Sequence, residues 1–164
     1  MSSLNSTSRT QAWLESLRPK TLPLGLIAIV TGSALAYWMG HFELPIALLS
    51  ILTAGTLQIL SNLANDYGDA VKGTDTEERL GPLRGMQKGM ITAAQMKKAL
   101  ILNVIISCIC GIALIIVACK KPEDAIGFLV MGLLAIVAAI TYTVGKRPYG
   151  YMGLGDISVL IFFG

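Results

Sequence analysis

The sequence predicts an all-α, polytopic transmembrane bundle with four complete spans and the start of a fifth. Three observations predict it. Of 164 residues, 54% are hydrophobic and 14% charged, where a soluble domain carries about 25% charge. Four long apolar runs and the start of a fifth follow one another, and a helical crossing needs about 20 such residues. The Lys and Arg side chains collect in alternate loops, as they do on the cytoplasmic side of membrane proteins.

Residues 1–10 read as a disordered tail. After them, Trp13, Leu14 and Leu17 recur at helical spacing beside Arg18 and Lys20, which predicts an interfacial helix lying on the membrane. The first span, residues 21–40, contains no charge. Its Ala34-Leu35-Ala36 resembles a signal-peptide cleavage site, but the run is long for a signal and three full spans follow, so it is read as a retained span. The second span is residues 45–65. In the loop beyond it, Thr92 precedes Gln95 by three residues, a capping-box pattern that starts the next helix. The third span, residues 98–119, holds Cys108, Cys110 and Cys119. They form no C-x-x-C pair and read as small apolar fillers rather than a disulfide or metal framework. The fourth span is residues 125–144. The fifth run, 154–164, is too short to cross. Open backbone groups are costly in lipid, so residues 1–164 are expected to be the amino-terminal part of one longer transmembrane domain. The sequence shows no internal repeat or low-complexity linker.

Arg9, Arg18 and Lys20 precede the first span; Lys72, Arg79, Arg84, Lys88, Lys97 and Lys98 lie in the second loop; Lys146 and Arg147 lie in the fourth. The opposite side holds only Lys120 and Lys121, diluted by Glu123 and Asp124. The amino terminus and the second loop are therefore expected in the cytoplasm. A net charge of +3 needs no nucleic acid, because anionic lipid and an anionic substrate account for it.

The chemistry concentrates at the end of the second span. Residues three and four apart share a helix face, so Gln58, Asn62, Asp66 and Asp69 form one polar stripe, with Asn65 at its edge. Such groups are expensive in a span and face a bundle interior or a water-filled cavity. Two carboxylates one turn apart repel, and Mg²⁺ meets that need: it takes oxygen ligands, typically one or two carboxylates plus phosphates. Beyond the stripe, Gly73 can bend the chain, Asp75 offers a third carboxylate, and Arg79 and Arg84 offer planar forks suited to phosphate. Glu77 and Glu78 read as helix-terminating charges. Lys72 and Lys88 are either diphosphate contacts or positive-inside charges. Together these parts make a diphosphate site at the mouth of a bundle. Tyr142, Lys146, Arg147, Tyr149, Tyr151 and Asp156 are expected at the same face, as substrate contacts or as an aromatic belt with its anchors.

Other classes fit less well. There is no G-x-x-x-x-G-K-[ST] phosphate loop and no G-x-S-x-G elbow. The lone His41 lies in the opposite loop. Phosphatidyltransferases with intramembrane carboxylates place an Ala-Arg pair and a Gly run between their acids, and this sequence does not. A transporter would carry polar groups through the depth of several spans, and spans one, three and four are nearly free of charge.

Asn65-Asp66-x-x-Asp69, with Asn62 before it and Gly73-x-Asp75 and Arg79-x-Gly81-Pro82 after it, resembles the first aspartate-rich motif of the UbiA superfamily of intramembrane aromatic prenyltransferases. The common form places its third Asp four residues after the second; here that position is Gly73. The shifted Asp75 is similar to the branch that prenylates 1,4-dihydroxy-2-naphthoate in menaquinone synthesis, of the bacterial octaprenyl type. Arg18-Pro19-Lys20-Thr21-Leu22-Pro23, Gly81-Pro82-Leu83-Arg84-Gly85-Met86-Gln87-Lys88-Gly89, Thr141-Tyr142-Thr143 and Tyr151-Met152-Gly153-Leu154-Gly155-Asp156 match the same branch, so the likeness spans the chain. It implies a bundle of about nine helices in a bacterial inner membrane, around a cavity open to lipid. It also implies a second aspartate-rich motif beyond this chain, and Mg²⁺-dependent transfer of a polyprenyl group from its diphosphate to the naphthoate with decarboxylation. A 4-hydroxybenzoate, haem or chlorophyll prenylating enzyme would share the first motif. By this likeness Asp66, Asp69 and, less firmly fixed by helix geometry, Asp75 hold Mg²⁺; Asn62 and Asn65 orient the carboxylates or bind the metal's waters. Arg79, Arg84 and Lys72 face the diphosphate; Tyr142, Lys146 or Arg147, and Asp156 meet the aromatic acceptor.

Overall fold

The computed structural model describes residues 8–73 and 85–163. Within them the order is α1 (Arg9–Leu17), a 3-10 turn (Pro19–Thr21), α2 (Leu22–Trp38), α3 (Leu44–Lys72), α4 (Ala93–Ala118), α5 (Pro122–Thr141), a second 3-10 turn (Tyr149–Met152) and α6 (Gly155–Phe163). No strand occurs among the described residues. The four expected spans are present as helices long and apolar enough to cross a bilayer, the first formed by the stretch Arg9–Trp38.

Local chemistry sets the boundaries. The Ser8 hydroxyl caps α1 by accepting from the Gln11 amide at 3.2 Å. Prolines stand in the first turns of α2, α3 and α5, where a missing N–H costs nothing. The capping box at α4 forms as expected, Thr92 accepting from the Gln95 amide and Gln95 from the Thr92 amide. Gly73 ends α3 with a positive φ of 66°, a conformation glycine adopts without steric cost.

The helix α3 is the hub, packing against α1, α2, α4 and α5. It has 29 residues, about 44 Å at 1.5 Å per residue, against a hydrocarbon core of about 30 Å. The surplus length lets its last turns leave the apolar layer without breaking the helix. The buried apolar cluster sits at that end: Ala12, Leu63, Ile91 and Met96, with Trp13, Leu17, Tyr67 and Met86 against them. Elsewhere large apolar side chains point outward, among them Leu24, Ile27, Val30, Ile109, Ile116 and Leu134, as lipid requires.

The amino-terminal helix is more firmly held than an interfacial reading implies. Leu14 is outward, but Ala12 and Ser16 are wholly buried. Gly85 allows the close approach: a Cβ there would lie 2.7 Å from Ile91 and 3.0 Å from the Ala12 carbonyl oxygen. The Lys88 ammonium adds an ion pair to Glu15 at 2.7 Å.

Gly68 brings α3 against the end of α5, where an added Cβ would meet Thr143 Cβ at 2.5 Å and its backbone oxygen at 2.6 Å. Gly68→Val is expected to destabilise by about 1–3 kcal/mol, the cost of overpacking. Thermal unfolding in detergent checks this; an unchanged midpoint would contradict the close approach.

Candidate functional site

The polar stripe forms on α3, and its first three members are buried, Gln58, Asn62 and Asp66 being 7%, 3% and 1% exposed, while Asp69 is partly exposed. It faces the corner between α1 and α2 rather than an open cavity. The Asn62 amide donates to the Leu17 carbonyl at 3.0 Å and to the Thr21 hydroxyl at 2.9 Å. Gln58 Nε2 reaches the same hydroxyl at 3.4 Å, and Thr21 donates to the Arg18 carbonyl at 2.9 Å. Asn62 was expected to orient the carboxylates or bind a metal's waters. In the structure its amide nitrogen takes up a carbonyl at the end of α1, one of the groups a helix terminus leaves without an intrahelical partner.

Arg18 brings a positive charge to Asp66. Its Nη2 lies 2.5 Å from Asp66 Oδ1, with the guanidinium side chain 25% exposed and the carboxylate side chain fully enclosed. Arg18 is the one non-glycine with positive φ among the described residues (φ 49°), a left-handed conformation that costs roughly 1–2 kcal/mol. It ends α1 and starts the Pro19 turn, so the kink between the helices aims its side chain at α3.

One turn on, Asp69 accepts a hydrogen bond from the Tyr151 hydroxyl. The Lys72 ammonium stands 4.7 Å from the centre of the Tyr151 ring, a cation–π contact. Asn65 Oδ1 lies 3.3 Å from the Thr143 hydroxyl, which donates to the Ala64 carbonyl at 2.9 Å. The fourth loop therefore does meet the aspartate motif. Tyr142 is half-buried, edge-on to Tyr149 at 5.3 Å between ring centroids. Tyr149 is tied to the Ala138 carbonyl at 2.8 Å. Lys146, Arg147 and Asp156 are exposed at this end, Asp156 in the first turn of α6.

Asp75, Arg79 and Arg84, with Glu77 and Glu78, lie outside the described residues. Among the described residues no group of three or more His, Cys, Asp or Glu comes together as a metal holder. The two carboxylates of α3 nonetheless fit Mg²⁺ by donor chemistry: they are hard oxygen ligands, and the ion takes one or two from protein and the rest from water and phosphate. Sequence reasoning missed Arg18, Thr21 and Thr143 as partners of the stripe. The Arg18-Pro19 pair, where a proline ends the preceding helix, was the available signal for Arg18.

Comparison with known proteins gives one consistent relationship. The chain is 68% identical over 157 residues, 96% of its length, to the 1,4-dihydroxy-2-naphthoate octaprenyltransferase of Escherichia coli. It is 58% identical over 95% of its length to the protein of that name in Haemophilus influenzae, and 33% identical over 93% to that in Mycobacterium tuberculosis. It covers 51%, 51% and 50% of those relatives, so the chain spans about half the length of the curated relatives it matches. No family model and no solved structure matches it.

The Asn62 contacts tie α1 to α3. Asn62→Leu is expected to cost about 1–3 kcal/mol through the buried carbonyl it abandons. Limited proteolysis near residue 18 should accelerate several-fold; cleavage at the wild-type rate would show that Asn62 does not hold the joint.

Proposed function

Because the chain belongs to the UbiA family, we propose that the protein it represents transfers a polyprenyl group, of octaprenyl type, from its diphosphate to 1,4-dihydroxy-2-naphthoate. The observation that carries this reading is the 68% identity to a naphthoate octaprenyltransferase along nearly the whole chain. The buried Asp66, one helical turn from Asp69, supports the diphosphate chemistry. The carbon–oxygen bond of the allylic diphosphate breaks and diphosphate leaves. The naphthoate carbon bearing the carboxylate attacks the allylic carbon, and loss of carbon dioxide returns the electron pair to the ring, giving demethylmenaquinol.

Asp66 and Asp69 would hold Mg²⁺, which when bound supplies positive charge to the departing diphosphate. Asn65, beside Asp66, lines the same end. Lys72, Asp75, Arg79 and Arg84 are assigned to the diphosphate side, and Tyr142, Lys146 and Asp156 to the acceptor. The isoprenoid tail needs an apolar surface open to lipid. The groove of about 420 Å³ between α3, α4 and α5, lined by Tyr67, Leu100, Val104 and Ile140 among others, is of that kind. The site end is assigned to the cytoplasm, in the inner membrane of a bacterium, from the Lys and Arg bias.

In membranes carrying the whole gene product, naphthoate with polyprenyl diphosphate and Mg²⁺ is expected to yield prenylated product, and EDTA to abolish it. Asp66→Asn and Asp69→Asn should each lose about 10²-fold or more, the scale on which single electrostatic stabilisers act. Product from 4-hydroxybenzoate alone would move the acceptor; variants as active as wild type would remove the metal role. In a cysteine-free background, Ala94→Cys should be labelled only after the cytoplasmic face is opened to reagent, and labelling from outside would reverse the orientation.

A further inference from the structure

We propose that Arg18 is a positioning residue for the Asp66 carboxylate, fixing it as a metal ligand from the far side of the α1–α2 kink. The inference deepens the prenyl-transfer reading and rests on it. Three observations carry it. Asp66 is 1% exposed, and a buried carboxylate without a counter-charge is strongly destabilising. Arg18 supplies that charge at 2.5 Å while adopting a backbone conformation disfavoured for an L residue. The surrounding bonds converge on holding it there: Asn62 to Leu17 and Thr21, Gln58 to Thr21, and Thr21 back to the Arg18 carbonyl. A surface-anchoring charge, free to reach the lipid headgroups along its flexible stem, needs none of this.

Arginine suits the task because its planar fork fixes direction as well as charge. With Oδ1 held by the guanidinium, the rotamer of Asp66 is set before any cation arrives. Metal ligands are commonly oriented in this way by a partner that does not itself touch the metal, and loss of such a partner typically costs 10–100-fold in metal affinity.

The test uses the whole gene product, purified in detergent. The rise in its thermal midpoint is followed as Mg²⁺ is added with inorganic diphosphate, beside Arg18→Gln, Arg18→Lys and the double variant Arg18→Gln/Asp66→Asn. Arg18→Gln is expected to move the half-saturating Mg²⁺ concentration up by about tenfold or more. Arg18→Lys, which keeps charge without the fork, should recover part of the shift and serves as the readout should the glutamine variant not fold. The double variant, which removes the carboxylate charge together with the guanidinium, should regain part of the metal-free stability lost by Arg18→Gln. Arg18 variants that lower the metal-free midpoint but respond at the wild-type Mg²⁺ concentration, or a lower one, would overturn the proposal and leave a purely structural ion pair. A wild type whose midpoint ignores Mg²⁺ would overturn the metal reading of Asp66 itself, and this proposal with it.

Discussion

A carboxylate enclosed within a membrane bundle has to be neutralised, and the arrangement of the polar end follows from how that is done for Asp66. The effective cost of burying an ion is several kcal/mol even after relaxation. Arg18 offsets it, but the two residues are 48 positions apart and must meet at 2.5 Å. The chain therefore has to turn sharply after α1, and the turn leaves a helix-end carbonyl inside the bundle. Asn62 satisfies it, one turn below Asp66 on the same face of α3. Thr21 joins Asn62, Gln58 and the Arg18 carbonyl in one small network. Buried polar networks raise stability and specificity when every member is satisfied, and lower both when one is removed.

The length of α3 makes this possible. A helix matched to the hydrocarbon core would end near the interface, and its acidic residues would fall in flexible chain. By running on to Lys72, α3 keeps Asn65, Asp66 and Asp69 on one continuous helix. Functional groups on helices are placed more accurately than those on loops. Gly68 then lets Thr143 approach, and Tyr151 reaches Asp69. Both carboxylates are thus bonded by residues remote in sequence, one from each side of the bundle.

The two ends of the bundle differ in kind. At the site end, side chains interdigitate around Leu63, Ile91 and Met96. Toward the other end, large apolar residues of α2, α4 and α5 face outward. That contrast matches a bilayer protein whose polar chemistry lies at one mouth. The chain is 68%, 58% and 33% identical to proteins named as 1,4-dihydroxy-2-naphthoate octaprenyltransferases.

The spans, the capping box at Thr92, the polar stripe on α3 and the gathering of cations were legible in the sequence alone. Each depends on local composition or on the helical repeat, which residue order fully states. The family likeness was legible for the same reason, through short contiguous motifs. What Asp66, Asn62 and Asp69 touch was not legible. Arg18 stood out as a positive charge and as part of a family-matching stretch, but not as the partner of Asp66, because hydrogen-bond partners 45 to 82 positions away depend on how the helices cross. The αL kink at Arg18 and the close approaches at Gly68 and Gly85 decide those crossings. They are properties of packed neighbours, and a repeat of 3.6 residues carries no information about which neighbour a face will meet.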